Sequence, residues 1–345
     1  MTASMTASVT STMRTEQVPA GDATAARAAD GAGIDAAVRA LDTGLLVGLP
    51  TETVYGLAAD ALDVRAVRRV FAAKNRPADN PLIVHVAAAE ELAGVAAHVT
   101  PLARSLAATF WPGPLTLVLE AHERVPAVTS GGLHTVAVRL PDHPVAAAVL
   151  ERTRHPLAAP SANRSGRPSP TRAEHVVAEF GDRVAVVLDG GPCILGVEST
   201  VVDVRGRRPV VLREGTVTRE QLGVATQAGT GDLHRAPGTR YRHYAPRCPV
   251  VLVEPGALAG LLADLAPSER VRTGVVAPPD VVATLPPEVV VVATYDDEVD
   301  LARGLYVALR AAEDAGVDRL VIQAVAPRGV GRAVMDRLRR AAGQD

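Results

Sequence analysis

Residues 74–85 read KNRPADNPLIVH, and the reading of this stretch decides the fold. Of the 36 lysines and arginines in the chain, 35 are arginine and one, Lys74, is lysine. A lysine kept where arginine is written almost everywhere else suits a place that needs a compact, rotatable ammonium, as beside a polyphosphate, where a planar fork sits differently. Taken alone, it is equally a chance codon in an arginine-biased chain. Its neighbours shift the balance. Asp63 can cap a helix running through Val67 and Val70 to Lys74, Asp79-Asn80-Pro81 signals a turn, and residues 82–86 form a short apolar run typical of a buried strand. Lys74 therefore closes a helix that feeds a polar loop and then a strand. Loops carried on such strands are where binding residues collect.

Working outward, the 345 residues suffice for two domains with real cores. Apolar residues make up 48% of the chain and aromatics 3%, so the core is built from Val, Leu and Ala, which suits buried parallel strands covered by helices. The net charge of −2 argues against a broad nucleic-acid surface but leaves room for a local basic pocket. Two cysteines, Cys193 and Cys248, have no metal-ligand spacing and make no disulfide framework, which points to a reducing compartment, the cytoplasm, and to no structural metal. No apolar run approaches the length of a membrane span. Residues 1–30 are rich in Ala, Ser and Thr without apolar period and read as a disordered tail. Glu16, Asp22 and the scarcity of arginine weigh against a transit peptide.

Helix signals start near Ile34 and stop at Gly44, and residues 45–49 read as a strand followed by a hydroxyl-rich loop, 50–56. Thr100-Pro101 opens a further helix, Trp111 to Pro114 is a turn, and residues 115–119 form a strand. In residues 135–139, TVAVR, alternation puts Thr135, Ala137 and Arg139 on one face. The runs 199–204 and 210–212 read as a hairpin turning at Arg205-Gly206. Short strands interleaved with helices give an open α/β sheet over residues 31–225. The composition changes to Gly, Thr, Pro, Arg, His and Tyr over 226–247, a linker. Residues 248–345 then alternate strand and helix as a smaller, doubly wound, Rossmann-like unit.

No P-loop sequence occurs, and Gly329-Val330-Gly331 before the last helix reads as a tight turn rather than a dinucleotide fingerprint. Ser161 lacks the flanking glycines of a nucleophile elbow, and Cys193 has no histidine near it in sequence. What recurs is a set of loops after strands that carry small hydroxyls and cations: Thr51 and Thr53, Lys74 and Arg76, Ser161 and Asn163, Ser199 and Thr200, Arg213. Together these describe one polar pocket able to hold anions and a small zwitterion.

The strings PTETVYGLAADA, KNRPADNPLIVH, FWPGPLTLVL, TVAVRLPDHP, APSANRSGRPSPT, LDGG, GVESTVVD and VLREG resemble, in family order, the YrdC/Sua5 family of threonylcarbamoyl-AMP synthases. APGTRYRHYAP and the α/β tail resemble the longer, two-domain Sua5 type. The resemblance implies a YrdC-like twisted sheet with a concave basic pocket. It implies an enzyme that condenses L-threonine, bicarbonate and ATP, with Mg²⁺, into threonylcarbamoyl-adenylate and pyrophosphate. The product would pass to a tRNA threonylcarbamoyl transferase complex for the t6A modification at position 37. Carried over position by position, Thr51, His85, Arg139 and Ser199 surround threonine. Lys74, Arg76, Asn80, Thr135, Ser161, Asn163, Ser169, Arg213 and Tyr244 surround the nucleotide, with Lys74, Arg76, Ser161 and Asn163 closest to the chemistry. Residues 226–247 would then fold over the pocket as a lid. Asp336 stands where the family's final helix usually has Asn. The competing reading, a non-catalytic RNA-binding module, has the net charge and the scarcity of stacking aromatics against it.

Overall fold

The structure, a computed structural model, describes residues 27–224 and 243–344. Of the expected tail, 1–30, residues 1–26 lie outside the described residues, as does most of the expected lid; residues 27–30 are not tail, because Arg27–Ala28 pair as a strand and Asp30 caps the first helix.

Two sheets divide the chain. The larger takes β1 (Arg27–Ala28), β2 (Val47–Leu49), β3 (Gly56–Asp60), β4 (Ile83–His85), β5 (Ala96–His98) and β6 (Leu115–Ala121). It continues with β7 (Thr135–Arg139), β8 (Leu157–Ala158), β9 (Val186–Asp189), β10 (Thr200–Asp203) and β11 (Val210–Arg213). The spatial order is β1-β9-β2-β3-β8-β4-β7-β6-β10-β11, with β5 against β6. Composition suggested parallel strands, but this sheet is mixed: β4 and β7 run parallel, while β2–β3, β3–β8, β4–β8 and β6–β7 are antiparallel. The short link of residues 50–55 between β2 and β3 permits a reversal and is too short for a helical crossover.

Helices α1 (Gly31–Asp42), α2 (Val64–Lys74), α3 (Leu92–Val95), α4 (Pro101–Phe110), α5 (Pro144–Arg152) and α6 (Ala173–Phe180) accompany this sheet. Asp63 caps α2 by accepting from the Arg65 N–H, and Thr100 caps α4 from Ala103, as their sequence positions predict. Asn75 ends α2 in the left-handed region, φ 51°, which turns the chain abruptly from Lys74 into its loop. Val67 and Val70 are completely buried, so the apolar face of α2 fixes where Lys74 emerges.

The smaller sheet is wholly parallel. It comprises β12 (Val250–Val253), β13 (Thr273–Ala277), β14 (Val290–Thr294) and β15 (Arg319–Gln323) in the order β12-β15-β13-β14. Helices α7 (Leu258–Ala263), α8 (Pro267–Arg270), α9 (Pro279–Val282), α10 (Glu298–Asp314) and α11 (Gly331–Ala342) connect and follow its strands. Among the described residues no helix is long and apolar enough to cross a membrane.

The two units share apolar packing. Val54 and Val197 of the larger unit are buried in one cluster with Leu305, Tyr306 and Leu309 of α10 and with Tyr244. At Gly196, φ 76°, a Cβ would stand 2.4 Å from the Ala302 carbonyl oxygen and 2.5 Å from Arg303 Cα, so only glycine lets the chain pass α10 this closely.

Candidate functional site

A cleft opens where the β2–β3 loop, the ends of β4 and β7, the loop after β8, the start of β10 and residues 243–244 converge. The β2–β3 loop is organised by hydroxyls. Thr51 Oγ1 donates to the Val54 carbonyl (2.6 Å) and accepts from the Thr53 and Val54 N–H groups (3.2 and 3.3 Å). The Thr51 and Thr53 hydroxyls are 2.9 Å apart, and Arg139 Nη1 donates to Thr53 Oγ1 at 3.0 Å. With the Thr51 proton committed to Val54, the order of donation runs from Arg139 through Thr53 to Thr51. The Thr51 hydroxyl is thus fully engaged within its own loop and fixes the shape of the cleft wall there.

Arg139 ends β7 and is 4% exposed. Its Nε donates to the Gly113 carbonyl at 3.2 Å, and its Nη2 lies 2.7 Å from Glu52 Oε2. That charge contact lacks hydrogen-bond alignment: Nη2 and both Glu52 carboxylate oxygens have no aligned partner. Nε and one Nη1 proton are committed to Gly113 and Thr53 and Nη2 lies against Glu52, which leaves the second Nη1 proton for an incoming anion.

His85 is registered opposite Arg139 on β4. Burial, helped by the Arg139 charge, pulls its pKa down to about 3, and its Nδ1 is buried without a hydrogen-bond partner. The imidazole is neutral at physiological pH. A folded-state value depressed below the ordinary 6.5 means that the unfolded chain takes the proton first. His85 therefore contributes stability that is complete above about pH 6.5 and lost as pH falls toward 3, at up to about 1.4 kcal/mol per pH unit. His175, held down to about 4 by burial and by Arg310 and Arg172, shares most of that window. Thermal melts of His85→Gln between pH 7 and 4 are expected to show a shallower loss of Tm than wild type. Parallel slopes would remove His85 from this account.

Lys74 is 1% exposed, and its Nζ donates to the carbonyls of Ser161 and Asn163 at 2.5 Å each. Burial lowers its pKa well below the usual lysine range, the Arg76 charge adds to this, and Glu179 and Glu198 oppose it. Its ammonium ties down the loop after β8, and Ser161, in turn, bridges to Gly56. Arg76 lines the cleft while donating to the Asn80 and Pro81 carbonyls at 3.3 and 3.0 Å.

The far wall is built around Glu198. Its carboxylate accepts from Ser169 Oγ (2.6 Å), from the Tyr306 hydroxyl (3.0 and 2.8 Å) and from Arg337 Nε (2.9 Å). Burial pushes its pKa up, but Arg337 and Arg213 outweigh that and hold it down at about 2. Next in the chain, the Ser199 hydroxyl lies 2.8 Å from Thr116 Oγ1, and Arg213 Nη2 donates to the Ser199 carbonyl (2.8 Å) and hydroxyl (3.1 Å). Tyr244 adopts φ 66°, a costly conformation for a bulky residue. Its ring is held 5.4 Å from that of Tyr306, with the Arg337 guanidinium 5.7 Å from its centroid.

Among the sequence-predicted residues, Thr51, Arg76, His85, Arg139, Ser161, Ser199, Arg213 and Tyr244 line this cleft. Lys74, Asn163 and Ser169 are buried behind it and brace its walls through the bonds above and through the Asn163 amide, which donates to the Arg164 and Arg167 carbonyls at 2.9 and 2.8 Å. Asn80 is buried in the loop that Arg76 grips, and Thr135 lies at the opposite end of β7 from Arg139, paired with Glu120; neither lines the cleft. Sequence reading missed Glu52 and Glu198, although each is adjacent to a residue it selected, Thr51 or Ser199. It also missed Tyr306 and Arg337, which lie more than 100 residues from Glu198 in the chain and carried no local signal.

The larger unit matches the Sua5/YciO/YrdC family, described as Telomere recombination, over residues 39–215. Residues 214–343 match the family described as Threonylcarbamoyl-AMP synthase, C-terminal domain. The chain is 44% identical to the Threonylcarbamoyl-AMP synthase of Pyrococcus abyssi, across 87% of this chain and 91% of that protein. It is 40% identical to the Threonylcarbamoyl-AMP synthase of Bacillus subtilis, across 86% and 89% of the two. The crystal structure of P. abyssi Sua5 complexed with L-threonine superposes with a TM-score of 0.83 at 42% identity, covering 90% of this chain and 94% of that one.

Proposed function

The chain belongs to the Sua5/YciO/YrdC family in its two-domain Sua5 form, and from that premise we propose that it is a threonylcarbamoyl-AMP synthase, joining L-threonine, bicarbonate and ATP into threonylcarbamoyl-adenylate with release of pyrophosphate. The observation that carries this reading is a single cleft lined by Arg139, Thr51 and Ser199 together with Arg76 and Arg213. One side suits an amino acid and the other an anionic nucleotide. The threonine carboxylate pairs with the Arg139 guanidinium. Neutral His85 adds no second cation to repel the threonine ammonium.

Once the amine has condensed with bicarbonate to a carbamate, releasing water, a carbamate oxygen attacks the α-phosphorus and pyrophosphate leaves. Such a displacement needs alignment and charge stabilisation more than a protein nucleophile. Arg76 and Arg213 supply charge, while Lys74 acts by holding Ser161 and Asn163. Among the described residues no group of three His, Cys, Asp or Glu side chains is placed to hold a metal ion, so Mg²⁺ would arrive on the ATP phosphates, and no step is assigned to it. Residues 31–225 form the catalytic unit in this reading. Tyr244, at the described end of the expected lid, lines the cleft, and a lid there would exclude water from a labile mixed anhydride. The adenylate then serves a transferase that modifies tRNA in the cytoplasm.

The test is to incubate the purified chain with ATP, labelled bicarbonate and L-threonine. A labelled adenylate and pyrophosphate that both depend on threonine are expected. Pyrophosphate released at the same rate without threonine would overturn the assignment.

A further inference from the structure

We infer that Arg337, carried by α11 of the smaller unit, is a positioning residue for the nucleotide side of the cleft: by engaging the Glu198 carboxylate it keeps that carboxylate from turning onto Arg213. The inference rests on the functional reading above and deepens it.

Glu198 is a buried carboxylate on the cleft wall, 7% exposed, and its hydrogen-bond partners come from both units. Ser169 belongs to the larger unit, whereas Tyr306 and Arg337 belong to the smaller. Arg337 has no exposed surface, and Asp336 Oδ2 accepts from its Nη1 at 2.6 Å, which orients the guanidinium so that Nε meets Glu198. Asp336, the departure from the family pattern, thus braces the arginine, and it accepts from Arg340 Nε at 3.2 Å as well.

Three cations act on Glu198, namely Arg337, Arg213 and Lys74; Lys74 is tied to the Ser161 and Asn163 carbonyls, and only Arg337 reaches Glu198 from across the seam between the units. Arg213 is attached to Ser199, the residue next to Glu198, and Glu198 and Arg213 line the same cleft. A buried carboxylate deprived of its hydrogen-bonded cation moves to the nearest remaining one, because an unpaired charge there is costly. Once on Arg213 it would neutralise a charge that the nucleotide needs and would pull on the Ser199 carbonyl. Threonine's own counter-charge, Arg139, is paired with Glu52 instead and stands outside this exchange.

The experiment titrates the full-length chain with Mg²⁺–ATP, and separately with L-threonine, by calorimetry, alongside thermal melts. Arg337→Met is expected to weaken ATP binding at least about tenfold while leaving threonine affinity within about threefold. The double variant Glu198→Gln/Arg337→Met removes the competing charge and is expected to recover ATP affinity to within about threefold of wild type. A merely structural role for Arg337 would not produce that recovery. ATP affinity unchanged within twofold in Arg337→Met, or a double variant as weak as the single, overturns the inference. Where Arg337→Met does not fold, Arg337→Lys carries the test: it returns a cation to Glu198 and is expected to bind ATP within about threefold of wild type. A folded Arg337→Lys protein tenfold weaker would overturn the charge argument. ATP binding by a wild-type chain that makes no adenylate would sink the functional reading and leave this comparison standing.

Discussion

Arg139→Ala is expected to raise the threonine KM at least about a hundredfold, equivalent to about 2.7 kcal/mol, while ATP affinity falls far less. The substitution removes the guanidinium that meets the amino-acid carboxylate. It also strands Glu52, which is 2% exposed and has Arg139 as its ion-pair partner 2.7 Å away. Leaving one half of a buried pair costs about 3–5 kcal/mol of stability, so a loss of activity could be mistaken for unfolding. Arg139→Ala/Glu52→Gln separates the two effects. The double variant is expected to regain most of the lost stability, read as Tm or urea midpoint, and none of the threonine affinity. If threonine binding returned with stability, Arg139 would be a structural ion-pair partner and the amino-acid site would lie elsewhere.

Lys74→Arg, nominally conservative, is expected to lower kcat/KM for ATP at least about tenfold, close to the effect of Lys74→Ala. The ammonium sits among protein atoms with two carbonyls at 2.5 Å. A guanidinium is longer and planar and cannot place its charge there without displacing the loop that carries Ser161 and Asn163. Removing the donors altogether leaves the Asn163 carbonyl unsatisfied, at about 1–3 kcal/mol, and the Ser161 carbonyl with the Asn163 N–H alone. An Arg variant within twofold of wild type would show that the chain's single lysine is an accident of composition.

The sequence reading succeeded where chemistry is local. Asp63, Thr100 and Pro101 set helix starts through their own side chains, and the β10–β11 hairpin follows from its apolar runs and the turn at Arg205-Gly206. It missed β3, GLAAD, because three small residues in five carry little strand preference; tertiary pairing with β2 and β8 makes it a strand. It left α5 and α6 unmarked. For the site, loops after strands sufficed to gather the hydroxyls and arginines into one cleft. What no local pattern could supply was the direction of a side chain. Lys74 turns inward to two carbonyls, and Glu198 finds its cation on the last helix of the chain. Those choices are made by long-range packing.

The backbone approach at Gly196 bears on how the two units can move. A water oxygen needs roughly 2.8 Å to a polar neighbour, and the space in front of Gly196 Cα is occupied at 2.4 Å from a Cβ position by the Ala302 carbonyl. The seam is dry at this point. Moving α10 away by less than the width of a water molecule would leave a vacuum and forfeit dispersion contacts on both sides with nothing gained in exchange. Small excursions are therefore penalised, and separation becomes favourable only once solvent can enter.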